Sequence, residues 1–498
     1  MSESAPIQPS QTLMRFRFIL SAMGSKLKNT GLIAVGAIAG VAISMQFSAL
    51  AQKPVEAGLP MDSVRELSNV YGIIKSDYVD QVDSKKLLTD AISGMVGSLD
   101  PHSAYLDKDA YRELREGTEG KFVGLGIEIS QTDDGYVRIV SPIEDSPAWR
   151  AGIKAGDLIT DVDGVSLKGL DMEEAIRRMR GEPRSKVTLT VRREGEPHPL
   201  NFVVLREEIV QKSVKAKLVE PGYGWIRISQ FQEPTVDDLA GKLAELYRQD
   251  PDMKGVILDL RNDPGGLLQG AIGVAAAFLP AGSEVVSTNG QLADSKQHFY
   301  GKPEYYMLQS GDDPLSKVPP AFKTMPMVVL VNSGSASASE IVAGALQDYK
   351  RAAIVGSQTF GKGSVQTIRA IGGDAAVKLT TARYYTPSGR SIQARGIVPD
   401  FAVDETPDGQ NFNMLRVREA DLEHHLANDR DKETAANPED LVGGDELVAA
   451  ARARKPIDYG GASDFQLQQA IRHLKGEPMK LAKRSGPTLA HSGTTLTP

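Results

Sequence analysis

Two short segments hold the residue types from which acyl-transfer chemistry can be built: Ser335-Ala336-Ser337-Ala338-Ser339-Glu340, and Gly361-Lys362-Gly363-Ser364-Val365-Gln366. A serine hydroxyl becomes a nucleophile when a positioned base removes its proton. The serine segment follows the apolar run Met327-Val328-Val329-Leu330-Val331, so it reads as a strand passing through a small-residue turn into a helix, with a hydroxyl at the helix N-terminus. The lysine lies between glycines that open onto an alternating stretch, where a substrate backbone can come close. Each segment also has an ordinary reading. Ser337-Ala338-Ser339-Glu340 satisfies a helix capping box, and a lone lysine is usually a solvated surface residue. A third segment, Arg261-Asn262-Asp263-Pro264-Gly265-Gly266-Leu267, places a glycine turn at the carboxyl end of the apolar strand Gly255 to Leu260. Bare amides there can face a developing oxyanion.

The usual partner of a nucleophilic serine is histidine, but the seven histidines lie at 102, 198, 298, 424, 425, 473 and 491, outside all three segments. His298 sits in a polar stretch and makes a poor buried base. Lys362 is the better candidate. To act it must be neutral, which asks burial to lower its pKa from about 10.4 by roughly 2–3 pH units, at a cost on the order of 3–4 kcal/mol. Gln366 falls on the same strand face and can orient the amine without adding charge, whereas a nearby carboxylate would restore the proton. The spacing does not choose among Ser335, Ser337 and Ser339. Gly356 to Lys362 also reproduces the phosphate-loop spacing up to its lysine, but Gly363 stands where a magnesium-binding Ser or Thr belongs, and the following residues read as strand rather than helix.

The elements that must position these residues follow from the rest of the chain. Its 498 residues, 41% hydrophobic, are enough for two or three compact domains. The net charge of -7 is spread along the sequence, and no basic stripe with interleaved aromatics suggests a nucleic-acid groove. The absence of cysteine excludes disulfides, thiolate-bound zinc and thiol nucleophiles. Arg15, Arg17, Lys26 and Lys28 precede an apolar run ending in Ala49-Leu50-Ala51, the order of a signal peptide over residues 1–51, which implies export and a periplasmic location. The rival reading is an uncleaved membrane anchor, since the run of about 20 residues just reaches across a bilayer.

A helical region is expected over 61–107, ending after Asp100-Pro101. A compact module of short strands with one helix, Met172 to Met179, follows over 108–200. Strands then alternate with helices over 203–400 (Trp225 to Ile228, Val236 to Tyr247, Gly255 to Leu260, Leu267 to Phe278), which is α/β patterning. Within it, 287–320 is polar and aperiodic and reads as an insertion or mobile loop. Residues 401–498 read as a charged helical region: a helical piece near Leu415 to Leu426, a polar linker through Asn437, an amphipathic helix at Phe465 to Leu474, and a disordered tail from Lys480. The two helical pieces are candidates for pairing subunits or docking an adaptor protein, or for packing on their own domain. In the smaller module, Gly124-Leu125-Gly126-Ile127 leads into a strand, a geometry whose amides can hold a terminal carboxylate while the peptide joins the sheet edge. The segments Ser146 to Ile153 and Ala155 to Ile159 follow at the spacing of a PDZ domain.

With these residues in place, the chain resembles the C-terminal processing peptidases, or tail-specific proteases, from about Asp62 to Asp400. The matching segments are Ser98-Leu99-Asp100-Pro101-His102-Ser103, the PDZ stretch, Leu258 to Gly266, Gly334 to Ile341, Gly361 to Gln366, and Ser388-Gly389-Arg390-Ser391-Ile392-Gln393. The resemblance implies a multidomain α/β protein with a crotonase-like core, a helical N-terminal region and an inserted PDZ domain. It also implies Ser337 as nucleophile, Lys362 as general base, Gln366 as the lysine's orienting partner, and amides of Ala338, Gly265 and Gly266 as the oxyanion hole. Gly124, Leu125, Gly126 and Ile127 would receive substrate tails. No metal, nucleotide or organic cofactor is called for, and the expected partners are proteins with accessible C-termini. Two alternatives carry different tests: a PDZ adaptor without catalysis would lack one of these residues, and a crotonase-type acyl-CoA enzyme would not be exported.

Overall fold

The computed structural model describes residues 60–407, 417–430 and 457–482, apart from 133, 144 and 309. The expected signal peptide or anchor, the linker from 431 through Asn437 and the tail beyond residue 482 lie outside the described residues. No helix among the described residues is long and apolar enough to cross a membrane. The unit ending at Leu87 contains helix α1 (Met61–Asp77), which buries none of its residues, and the start of α2 (Ser84–Gly97).

The larger unit, from Leu88, is built on a six-stranded sheet. Its strands are β10 (Val214–Glu220), β11 (Tyr223–Ile228), β12 (Gly255–Asp259), β15 (Met327–Val331), β16 (Ala353–Gly356) and β19 (Phe401–Ala402), in that spatial order. All pair in parallel except β10, which runs antiparallel along β11. A central parallel strand is covered on both faces and must be apolar throughout; every residue of β12 and β15 is buried. Helices α6 (Thr235–Gln249), α7 (Leu268–Phe278) and α9 (Ala338–Asp348) contribute to the main core, and α10 (Phe465–Leu474) covers the other face with Leu467, Ala470 and Ile471. Burying a Leu or Ile side chain is worth roughly 1.5–3 kcal/mol. The apolar residues Leu467, Ala470 and Ile471 of α10 are therefore buried within its own chain. Asp464 caps this helix by accepting from the Leu467 amide, and its carboxylate also grips the buried Arg261 guanidinium at 2.6 and 2.8 Å. Arg261 in turn binds Asp259 at the end of β12.

A second sheet orders β1 (Ala104–Leu106), β18 (Ala375–Tyr385), β13 (Glu284–Gly290) and β14 (Gln297–Tyr300), with β17 (Ser364–Gly372) also paired to β18. The 287–320 stretch is thus no mobile loop. It supplies β13 and β14, the short helix α8 (Pro303–Tyr306) and 3-10 turns, with Tyr306 only 5% exposed and its phenol donating to Asp313. Its apolar anchors are too sparse to give a period. The helix expected near Leu415 to Leu426 is also corrected: residues 417–430 contain only a 3-10 turn, Glu419–Asp421. Residues 480–482, expected to be disordered, are pinned by the Ala482 amide donating to the Ala402 carbonyl.

The smaller module has its own core around Ile139, Ile159, Leu167 and Leu189 and a sheet ordered β3 (Ile127–Gln131), β4 (Val137–Pro142), β5 (Leu158–Val162), β7 (Lys186–Arg192), β8 (Leu200–Leu205). Helix α5 (Met172–Met179) packs Ala175 and Met179 into it. The run Phe122 to Ile129 is not one strand. At Gly126, with φ +74°, the chain turns, so that β2 (Lys121–Gly124) pairs with β9 (Glu207–Val210) while β3 pairs with β4. Helix α3 (Lys108–Glu119) leads into this module.

Candidate active site

β12, β15 and β16 are neighbours, and the three chemistry-bearing segments emerge from their carboxyl ends. In open α/β sheets that edge is where ligands bind. A cleft of about 720 Å³ lies there, and Gly265, Gly266, Ser337, Ala338, Lys362 and Gln366 all line it.

The structure distinguishes the three serines that spacing could not. Ser335 Oγ donates to the Leu260 carbonyl at 2.7 Å and Ser339 Oγ to the Asp263 carbonyl at 2.9 Å, both side chains being buried. These two hydroxyls fasten the serine turn to the glycine turn. Ser337 alone reaches the cleft. Its backbone sits at φ +54°, ψ −111°, a conformation that costs a non-glycine residue of order 1–3 kcal/mol and persists only where its surroundings impose it. Part of that imposition is Glu340, whose Oε2 accepts the Ser337 amide at 2.8 Å.

Glu340 does more than cap α9. Fully buried, it also accepts from Thr359 Oγ1 at 2.5 Å, the Gly361 amide at 2.7 Å and the Lys362 amide at 3.0 Å, so one carboxylate holds the backbones of the serine and the lysine together. Burial pushes its pKa up to about 7, against the pull of those four donors. The Lys362 amine is sheltered, and its pKa is brought down to about 8, first by burial and then by Lys378; Glu419, Glu340 and Asp100 oppose them. Carboxylates near the lysine, counted against a neutral amine in the sequence reading, are thus present but outweighed.

The Gly265 and Gly266 turn presses against the serine. A Cβ on Gly265 would lie 2.8 Å from the Ala338 nitrogen and 2.9 Å from Ser337 Cβ. The Gly265 amide, however, donates to Asp263 Oδ1 at 2.9 Å and is not open to the cleft, which corrects its expected place in an oxyanion hole. The amides of Gly266 and Ala338 have no hydrogen-bond partner among the described residues. Gln366 needs correction too. Its amide nitrogen donates to Ser364 Oγ and Thr380 Oγ1 at 3.0 and 3.3 Å rather than being hydrogen-bonded to Lys362.

The profile of Peptidase family S41 matches residues 222–403, that of a PDZ domain 138–193, and that of the "Activating protease CtpB N-terminal domain" 31–110. A carboxy-terminal-processing protease of Bartonella bacilliformis is 39% identical over 446 residues, 88% of this chain and 95% of that protein. This chain belongs to peptidase family S41. It is a carboxy-terminal-processing serine protease by family, with a PDZ domain. A probable CtpA-like serine protease of Staphylococcus aureus is 39% identical over 404 residues, covering 81% of this chain and 75% of that one. Among solved structures, a photosystem II D1 C-terminal processing protease matches with 30% identity and a TM-score of 0.39, over 68% of this chain and 86% of that one.

In this S41 protein the sequence reading missed Tyr384. Its buried phenol donates to the Lys362 carbonyl and lines the cleft together with Ser337, and burial holds it well above the usual phenol range, so it stays an O–H. The aromatic pair closing β18 beside Ser388 to Gln393 was the available signal. His298 is mostly exposed and bonded to Glu284, and among the described residues lining the cleft there is no histidine. In the PDZ domain, β3 is the edge strand, and the carbonyls of Leu125 and Gly126 are held by the amides of Ala148 and Ile143. The amides of Leu125 and Gly126 have no partner among the described residues.

Proposed function

We propose that this protein is an ATP-independent serine endopeptidase that uses Ser337 as nucleophile and neutral Lys362 as general base, and takes exported proteins by their C-terminal tails. Ser337 Oγ forms a bond to the scissile carbonyl carbon as its proton passes to Lys362 Nζ. The carbonyl oxygen, now negative, is met by the amides of Gly266 and Ala338. The C–N bond then breaks, and the ammonium of Lys362 returns the proton to the departing amine. Water, deprotonated by the same amine, releases the acyl group.

The observation that carries the reading is the shared cleft, in which a strained serine, a sheltered lysine with its pKa near 8 and two open amides meet. The unfilled amides of Leu125 and Gly126 beside an edge strand support recognition of a terminal carboxylate, and the order of charge, apolar run and Ala49-Leu50-Ala51 supports export to the periplasm. The test is turnover of an unfolded protein with a free apolar C-terminus. Ser337→Ala and Lys362→Ala should each lower kcat by roughly 10⁴-fold or more, with unchanged melting. A Lys362→Ala enzyme within about tenfold of wild type would remove lysine from the mechanism.

A further inference from the structure

Two motifs quoted above, Asp100-Pro101-His102-Ser103 and Ser388 to Gln393, have no role in the reaction as written. Both converge on residue 419, beyond the stretch matched by the S41 profile. The Glu419 side chain is wholly buried; its Oε1 accepts from Gln393 Nε2 at 2.8 Å and its Oε2 pairs with His102 Nε2 at 2.7 Å. Gln393, also buried, uses its own Oε1 to accept the Gly363 amide at 2.9 Å. The Glu419 amide donates to the Phe360 carbonyl at 3.2 Å. The turn bearing Lys362 is therefore held on one side by Glu340 and on the other by a chain running from His102 through Glu419 and Gln393.

We propose that Glu419 is a positioning residue for Lys362, fixing the Gly361 to Gly363 turn through Gln393 and acting on the amine through its charge, with His102 holding the carboxylate in place. The proposal rests on the Ser337 and Lys362 reading. A buried carboxylate is costly unless it is paired and hydrogen-bonded, and both Glu419 oxygens have partners, Gln393 on Oε1 and His102 on Oε2. Here that charge helps hold the proton on Lys362, together with Glu340 from α9 and Asp100 from the turn after α2, against burial and Lys378 of β18. The clamp gives position, and the charge tunes the proton affinity of the base.

The test measures cleavage of a quenched-fluorescence peptide with a free C-terminal carboxylate by the full chain, from about pH 6 to about pH 10. Glu419→Ala loses both contributions: kcat falls roughly 10- to 100-fold while KM changes less than about threefold. Glu419→Gln keeps the shape and removes the charge. Its plateau kcat stays within about tenfold of wild type, and the midpoint of its acid limb moves to lower pH. A purely structural residue would lower the melting temperature and leave that midpoint where it was. Should Glu419→Ala not fold, Glu419→Gln decides alone: an unmoved midpoint with kcat within about twofold of wild type overturns the proposal. Ser337→Ala runs beside them; if it cleaves as fast as wild type, the peptidase reading has failed rather than the clamp.

Discussion

Two glycine-bounded turns of this molecule are built to opposite rules. In Gly361-Lys362-Gly363 all three amides and all three carbonyls are engaged: by Glu340 twice, by Gln393, by the amides of Ala394 and Tyr384, and by the Tyr384 phenol. In Gly124-Leu125-Gly126-Ile127 the carbonyls of Leu125 and Gly126 are engaged, but the amides of those two residues are not. A turn that carries a base must hold one geometry to a fraction of an ångström, since small displacements of reacting groups are costly. A turn that recognises a carboxylate has to keep donors unspent. The two turns thus differ in whether their backbone donors are already spent.

The sharpest way to break this contrast is to add one methyl group to each turn. A Cβ on Gly363 would sit 2.4 Å from the Gln393 nitrogen, so Gly363→Ala must displace the lysine turn against backbone that cannot yield. We expect kcat to fall roughly 10²-fold while tail binding is unchanged, measured by turnover and by titration with a tail peptide. An alanine enzyme with full kcat would mean that the saturated turn tolerates movement. Next in size is the pH profile. Because only the neutral amine accepts a proton, kcat/KM should climb about tenfold per pH unit and level off near pH 8, where Lys362 titrates. Between about 8 and the ordinary 10.5 the unfolded chain binds more protons than the folded one, so this group's contribution makes stability rise with pH across that window. A limb centred above pH 10 would contradict the sheltered amine. The smallest effect belongs to Gly126→Ala, whose Cβ would meet Ser146 Cβ at 2.2 Å with φ at +74°. Tail affinity should weaken by about tenfold or more, with turnover of a short internal peptide spared; equal loss of both would tie the two turns together.

The local parts of this architecture were legible in the sequence. The continuous apolar runs of β12 and β15, the helix Met172–Met179 and the helix Phe465–Leu474 follow from periodicity alone, and the serine, lysine and glycine segments could be singled out by residue type. What sequence could not supply was partnership across the chain. Glu340 reads as a capping residue because its contact with Ser337 is three positions away, while its contacts with Thr359, Gly361 and Lys362 depend on β15 and β16 lying side by side. Gly265 is the exception: Asp263 takes its amide from two residues away, a local Asx-turn contact that the Asp263-Pro264-Gly265 spacing could have signalled. Gln366 and Tyr384 exchanged importance because β17 and β18 pair so that a tyrosine, not the glutamine, hydrogen-bonds the lysine turn.

The grip of Arg261 on Asp464 has a consequence for the fate of the protein itself. An enzyme from a family that processes carboxy termini has its own last described helix locked to the strand leading into the glycine turn. Pulling that helix away would take Asp464 from Arg261 and leave Asp259 as the carboxylate shared by the Arg261 and Arg227 guanidiniums, and removing one partner of a buried ion network is strongly destabilising. Damage arriving from that end therefore reaches the glycine turn beside Ser337 early, so a frayed copy should lose the geometry of the cleft before it loses the rest of its fold.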